Sequence, residues 1–316
     1  ISFGDLPISD FTGLWVNGQE VTVEGSGHVT QGYPVTEYDN GTDHLWAEFY
    51  DGTQTTVSAY LAAKFGADAD RPWTSDMIGR GVPMLTLTAL LEDTLWSGFP
   101  TYMAQFEGVP LFDPRLSTAA GGSGSQVWGD SSTYAFSDNN LVIIYNILRG
   151  IEYEGEHVWG GEATEYQMPY AEWAAAMDAC DEDVDLDAGG TEKRFRGGRE
   201  IFVNERPADV IQEFLIGANA RLALVAGRYY PLVGVPDEAD FTFTDDDVIV
   251  TEGTTLECFP NLDGIVNGAT ATFLAPEQAW EAKETAPYLR SDLEAEDDDR
   301  RQLKGIDLGT TFSGTQ

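Results

Sequence analysis

The sequence predicts an α+β fold richer in strand than in helix. Residues 1–116 are mostly alternating apolar and polar runs bounded by turn dipeptides, the mark of antiparallel strands. Apolar stripes at helical spacing gather in the middle of the chain, and 34 Gly and 14 Pro supply the turns that many short strands need. At 316 residues, 42% hydrophobic and 12% aromatic, the chain can bury two cores or one large core with an insertion. Boundaries fall at 116/117 and 250/251. They delimit a β-rich domain over residues 1–116, a helix-containing α+β middle domain over residues 117–250 and a second β-rich segment over residues 251–316.

In chain order, Phe11–Val16, Asn17-Gly18 and Gln19–Val23 read as a hairpin, because Asn-Gly takes the left-handed conformations of a type I′ turn. Asp51-Gly52 between Leu45–Tyr50 and Thr53–Val57 predicts a second one. Ser58–Phe65 is Ala- and Leu-rich and predicts a short helix ending at Gly66. Met84–Leu91 and Tyr102–Phe106 alternate as strands, with Gly108 turning the latter into Val109–Phe112. Ser117–Gly129 is Gly/Ser-rich linker chemistry. Asn139–Leu148 predicts a helix with Leu141, Ile144 and Leu148 on one face and Gly150 past its end, and Pro169–Ala179 predicts another. Between them Tyr153–Gly161 reads as irregular, with Trp159 exposed.

The stretch from Gly189 to Val250 parses as one α+β unit. Lys193–Val203 alternates as a strand. Pro207 opens a helix whose stripe is Val210, Ile211, Phe214, Leu215 and Ala218. Arg221–Ala226 and Arg228–Val235 form a hairpin about Gly227. Thr254–Phe259 and Gly268–Leu274 return to strand character, Pro276–Thr285 predicts a short helix, and Ser291–Arg301 is a charged surface segment. Leu303–Thr311 begins a strand whose partner is expected beyond the end. Ile1-Ser-Phe-Gly-Asp reads as the inside of a strand and Thr310–Gln316 has no natural stop, so a piece of a longer polypeptide is expected.

Charge narrows the function classes. Seventeen basic against 54 acidic residues give a net charge of −37. Such a surface opposes phosphate backbones and anionic lipid. The acidity reads as adaptation to salt or solubility, or else as a channel wall past which DNA slides without sticking. Cys180 and Cys258 make neither a disulfide framework nor a zinc site, which fits assembly in a reducing compartment. There is no apolar run of membrane-spanning length, no signal-peptide pattern and no 20–50-residue repeat.

Each candidate for chemistry has a plainer reading. Asp183-x-Asp185-x-Asp187 resembles the start of a calcium loop, but Ala188 stands where the tight turn needs Gly and Arg194 where a bidentate Glu belongs. A solvated acidic turn is expected there. His28, His44 and His157 lack a second ligand at metal-binding spacing, and His44 reads as a surface or packing residue in a strand. Glu152, Glu154, Glu156, Glu162 and Glu165, near Trp159 and Tyr166, are the best cluster for a glycan-cleaving carboxylate pair. A polar loop with a packing Trp is the plainer account. Arg194, Arg196 and Arg199 form a basic patch suited to an acidic neighbour, one source of which is another subunit. No G-x-S-x-G, Walker A or helix-opening G-x-G-x-x-G is present. No catalytic, cofactor or metal residue is assigned, and no enzyme is expected.

Three stretches in order carry a resemblance: GVPLFDPR (Gly108–Arg115), YAFSDNNLVIIYNILRG (Tyr134–Gly150), and the Gly189–Val250 unit from GGTEKRF to FTDDDVIV. The chain resembles the phage tail tip family of lambda-type host-specificity protein J and the related baseplate hub proteins of long-tailed phages and gene transfer agents. These are scaffold motifs, and what they imply is architecture and partners. The resemblance implies a homotrimeric structural virion protein. Its β-rich regions would join as barrel-like hub domains that close the distal end of the tail tube. Its implied partners are distal tail and other tail tip proteins, the tape-measure protein, and DNA only in transit. It implies assembly in the bacterial host cytoplasm and a place at the virion tail tip, in host attachment. The alternatives are an envelope glycan hydrolase, or a glycan-binding adhesin with Trp159 or Trp128 as its handle.

Overall fold

The computed structural model describes residues 1–96, 98–186, 189–234, 242–247 and 266–313. The fold is α+β with more strand than helix, built from small and mostly antiparallel sheets. The chain divides into two compact units. The first holds Ile1–Leu116, Ser125–Ser137 and Tyr153–Gly155; the second holds Ser117–Gly124, Asp138–Glu152 and Glu156–Gln316.

In the first unit β1 (Asp10–Val16) pairs with β2 (Gln19–Val21) through the Asn17-Gly18 turn, where both residues have positive φ. The short β3 (Tyr33–Pro34) pairs with β4 (Leu45–Tyr50). Helix α1 (Ala59–Phe65) starts where the Ser58 hydroxyl accepts the Leu61 N–H. β5 (Met84–Ala89) completes a β3-β4-β5 sheet, and β6 (Tyr102–Glu107) completes a β2-β1-β6 sheet. Val23 bridges Val35 between the two sheets. Alternation along the strands turns Leu14 and Val16 from one sheet, and Leu45, Ala47 and Leu85 from the other, into one core with Val35 and Trp96. Among the described residues the sheets do not close into a barrel.

The expected hairpin at Asp51-Gly52 does not form. β4 pairs on its two sides with β3 and β5, so Thr53–Val57 has no ladder to join. The Asp51 carboxylate instead holds the Thr53 N–H and hydroxyl, and the Gln54 amide donates to the carbonyls of Gly79 and Val82. Val109–Phe112 is likewise no strand; Leu111 makes a single bridge to Ala135. The Gly/Ser-rich stretch is an ordered turn rather than a linker. Buried Gln126 accepts the Asp113 N–H at 2.7 Å, and its own N–H donates to Leu116 O.

The second unit is organised on α2 (Asn140–Arg149). Asn139 caps it by accepting the N–H groups of Leu141 and Val142. Leu141, Val142, Ile144, Tyr145 and Ile147 are all buried, so the helix is covered on more than the one face its spacing predicted. Past Gly150 comes a hairpin, β7 (Ile151–Tyr153) and β8 (Glu156–Trp159), in place of the irregular stretch expected; its turn is Glu154-Gly155, both at positive φ. Helix α3 (Tyr170–Cys180) buries Trp173, Ala176, Met177 and Cys180, a clean i, i+3, i+4, i+7 stripe. β9 (Asp183–Asp185) pairs with β10 (Thr191–Lys193). The strand expected over Lys193–Val203 ends at its first residue, because Gly197 and Gly198 lie against other backbone and rings.

Helix α4 (Pro207–Gly217) packs on α2 and on the hairpin of β11 (Ala220–Val225) and β12 (Arg228–Val233). The α3 side of β12 receives the Trp173 indole, whose N–H donates to Tyr229 O at 3.0 Å. The last sheet is built on β13 (Gly268–Ala275), with β14 (Glu281–Glu284) and β15 (Tyr288–Leu289) antiparallel to it. The helix expected over Pro276–Thr285 is a single 3-10 turn at Pro276–Gln278, after which β14 begins. Exposed α5 (Ser291–Glu296) leads into β16 (Leu303–Leu308). β16 has its partner inside the chain after all: it runs parallel to β13, and the intervening elements give the long connection that parallel pairing needs. The expected strand Thr254–Phe259 and Cys258 lie outside the described residues.

Around Asn140 the second unit is packed to contact. An alanine Cβ at Gly197 would collide with Asn140 Oδ1 and would lie 2.7 Å from Thr310 O. Gly197→Ala should therefore destabilise the protein by about 1–3 kcal/mol, the usual cost of overpacking. Gly305→Ala, where nothing lies within 4 Å, is the matched control and should be close to neutral. The measurement is the shift in urea midpoint at unchanged m-value.

Candidate functional site

Asp183 and Asp185 of the acidic triplet lie on a strand rather than in a turn. Asp183 and Asp185 alternate with Val184 along β9, and the Asp183 carboxylate takes the Lys193 ammonium at 2.9 Å across the hairpin. Asp187 and Ala188 lie outside the described residues. Among the described residues no group of three His, Cys, Asp or Glu side chains is placed to hold a metal ion.

The five glutamates near Trp159 are not gathered into a cleft. Glu152, Glu154, Glu156, Glu162 and Glu165 are all exposed. Trp159, expected to be exposed, is half-buried, and its indole N–H donates to Glu205 O at 3.2 Å. Tyr166 is exposed, but the Arg228 guanidinium covers its ring at 4.1 Å. Trp128 packs edge-on against Phe112 at 5.4 Å and beside Tyr134. Both Trp side chains are half-buried.

The three arginines are spent within the chain. Arg194 pairs with Glu182 at 2.7 Å, Arg196 with Asp138, and Arg199 with Glu205 at 2.7 Å and Glu213 at 3.0 Å. The acidic neighbour that the patch suggested is therefore its own unit. Glu205 is held below the usual carboxylate range, first by the Phe202 N–H and then by Arg199. A depressed carboxylate stabilises the fold above its unfolded titration range, and that contribution is lost as pH falls through the folded value. Arg199→Ala should raise the Glu205 titration midpoint only some of the way back, because the Phe202 bond remains. Carbon-detected NMR of the carboxyl measures it, and a full return would show that Phe202 contributes nothing.

Two of the three histidines lie on carboxylates. His28 Nε2 is 2.6 Å from Glu48 Oε2, and His44 Nε2 is 2.7 Å from Glu92 Oε2. His44 is buried rather than a surface residue, and its Nδ1 lies 2.6 Å from Thr42 O. His157 packs against Gly150. Sequence reasoning missed these pairs because the partners are 20 and 48 positions apart and meet only through the folding of the sheet.

It also missed a depression of about 370 Å³ in the first unit, lined by Asp10, Phe11, Phe49, Tyr50, Asp51, Thr53 and Gln54. Its size is at the low end for a small-molecule site. Most of its polar atoms are already used: Asp10 accepts the Phe11 N–H, Asp51 holds Thr53, and Gln54 is bonded on both sides of its amide. Its hydroxyl–carboxylate contact is Thr53 Oγ1 on Asp51 Oδ1 at 2.6 Å, within the turn. No protein-family model and no curated protein matches the chain.

Proposed function

We propose that the chain is a structural protein, the hub portion of a long-tailed phage or gene-transfer-agent tail tip. In this reading it assembles as a homotrimer, with β-rich barrel-like hub domains surrounding a channel for tape-measure protein and DNA. The distal tail protein and other tail tip proteins are its neighbours. The reading rests on the resemblance of three stretches, and one observation supports it above others. Two of those stretches dock on each other: Asn139 bridges Arg196, Arg196 Nε bonds Asp138 at 2.6 Å, and Gly197 lies on Asn140. The motifs thus act as scaffold, which is the role the family would give them. The exposed glutamates, and half-buried indoles already in contact with Glu205 O and Phe112, give the hydrolase and adhesin readings less support.

Subunit assembly is the property to test. A net charge of −37 per chain makes bare subunits repel, so the protein should be examined at moderate and high salt. Light scattering on the purified protein should give the mass of a trimer, more completely at high salt. A monomer at both salts would count against the hub, and peptidoglycan cleavage by that monomer would replace it with the hydrolase.

A further inference from the structure

The first unit is almost bare of permanent cations. Lys64, Arg71, Arg80 and Arg115 are the only lysines and arginines in residues 1–116. Its β3-β4-β5 sheet nevertheless sets two glutamates against imidazole rings. The geometry at His44 decides the ring's state. Thr42 O, 2.6 Å from Nδ1, can only accept a hydrogen bond. Glu92 Oε2, 2.7 Å from Nε2, accepts as well while the carboxylate is ionised. A neutral ring has one N–H and would turn a lone pair toward one of these oxygens. Only an imidazolium satisfies both.

This ring joins two segments. From the turn side, the His44 N–H donates to Tyr38 O at 2.9 Å, and Thr42 supplies the Nδ1 acceptor. From the loop side, the Leu90 N–H donates to His44 O at 2.8 Å, and Glu92 takes Nε2. Asn40 on the turn adds a bond to Glu92 at 2.8 Å. The same two segments close the core: Trp96 stacks on Tyr38 at 4.3 Å and 9°, and its indole N–H donates to Leu90 O. The other ionisable groups on these segments are Glu37, Asp39, Asp43 and Asp93, with Tyr102 beside Tyr38. Glu37 is bonded to the Thr22 N–H and Asp39 to the Gly41 N–H.

We propose that Thr42, His44 and Glu92 form a pH-gated clamp that keeps the Leu90–Trp96 loop closed on the core of the first unit. The clamp is whole while the ring is an imidazolium and Glu92 is a carboxylate. It opens on the alkaline side when the ring loses a proton, because a neutral ring turns a lone pair toward one of the two oxygens. On the acid side, Glu92 is held below the usual carboxylate range, first by Asn40 and Thr94 and then by His44. Its contribution is therefore present above that range and lost only as pH falls through the lowered value. Opening frees Tyr38 and Trp96 from each other and uncovers the core beneath them.

The test uses the intact protein. Nitrogen NMR of the His44 ring should find both nitrogens protonated at mildly acidic pH. Amide exchange of His44 and Leu90, corrected for its intrinsic pH dependence, should accelerate about tenfold or more as that ring deprotonates, the equivalent of one pKa unit. In Glu92→Gln the amide can donate to a neutral ring, so the acceleration should disappear. His28→Gln, which removes the other histidine pair, should leave it in place. A His44 ring with a single N–H at mildly acidic pH would overturn the proposal. So would wild-type exchange that ignores the ring's titration, whether or not Glu92→Gln folds.

Discussion

The second unit depends on two consecutive asparagines at the start of α2. Asn139 accepts the first free N–H groups of the helix and donates its amide to Met177 O on α3 at 2.9 Å. Asn140, fully buried, donates toward Phe214 O on α4 and lies against Gly197 and Gly217. One dipeptide therefore fixes the helix end, its two helical neighbours and the loop through Gly197. That same loop meets the chain's last described turn, where Gly197 bridges Thr311 and the Gly198 N–H donates to Thr310 O. Buried amides are costly where they go unsatisfied: among the described residues the Asn140 Oδ1 has no hydrogen-bond partner, and its Nδ2 bond to Phe214 O offsets only part of that cost. Apolar residues at these positions would fill the space without dictating which loop arrives.

Charge is arranged by the opposite logic. The few cations are placed locally, mostly on acids within a few residues or across one hairpin: Arg115 on Asp113, Lys193 on Asp183, Arg290 on Asp292. Such pairs at or near the surface add little stability singly. They consume the positive charge, so most of the 54 acids have no basic partner to neutralise them. The result is a surface that repels its own copies and any polyanion at low salt. Association of subunits must then come from desolvated apolar contact and screened charge, not from attraction between charged faces.

Local signals in the sequence were reliable where one short stretch decides the outcome. The Ser58 and Asn139 caps, Pro207 at a helix start, and the Asn17-Gly18 and Gly227 turns all act within a few residues, and the helices and hairpins stand where those residues put them. Failures occurred where a distant partner decides. Asp51-Gly52 has hairpin chemistry, yet β4 is already paired on both sides. Ser117–Gly129 has linker composition, yet Gln126 ties it to Asp113. β16 found its partner in β13, across a connection that no local pattern encodes. The candidate residues followed the same rule. The arginine patch was visible as charge, while its acidic partners, from Asp138 to Glu213, were not. His44 read as a surface or packing residue because nothing in its own strand-like run points to Glu92, 48 positions on.

The histidine clamp and the asparagine node differ in what can undo them. An amide has no proton to gain or lose near neutral pH, so the second unit's core polar contacts are indifferent to mild acid or base. An imidazolium between a carbonyl and a carboxylate is conditional by construction. The first unit thus holds a titratable closure where a fixed one was chemically available, since a lysine or arginine could meet Glu92 at any ordinary pH. Glu92 is held below the usual carboxylate range, so the acid edge of the closed state lies below that range too. The two units thus differ in the chemistry of their buried polar contacts, amides in one and an imidazole–carboxylate pair in the other, each with the response to pH that its side chains impose.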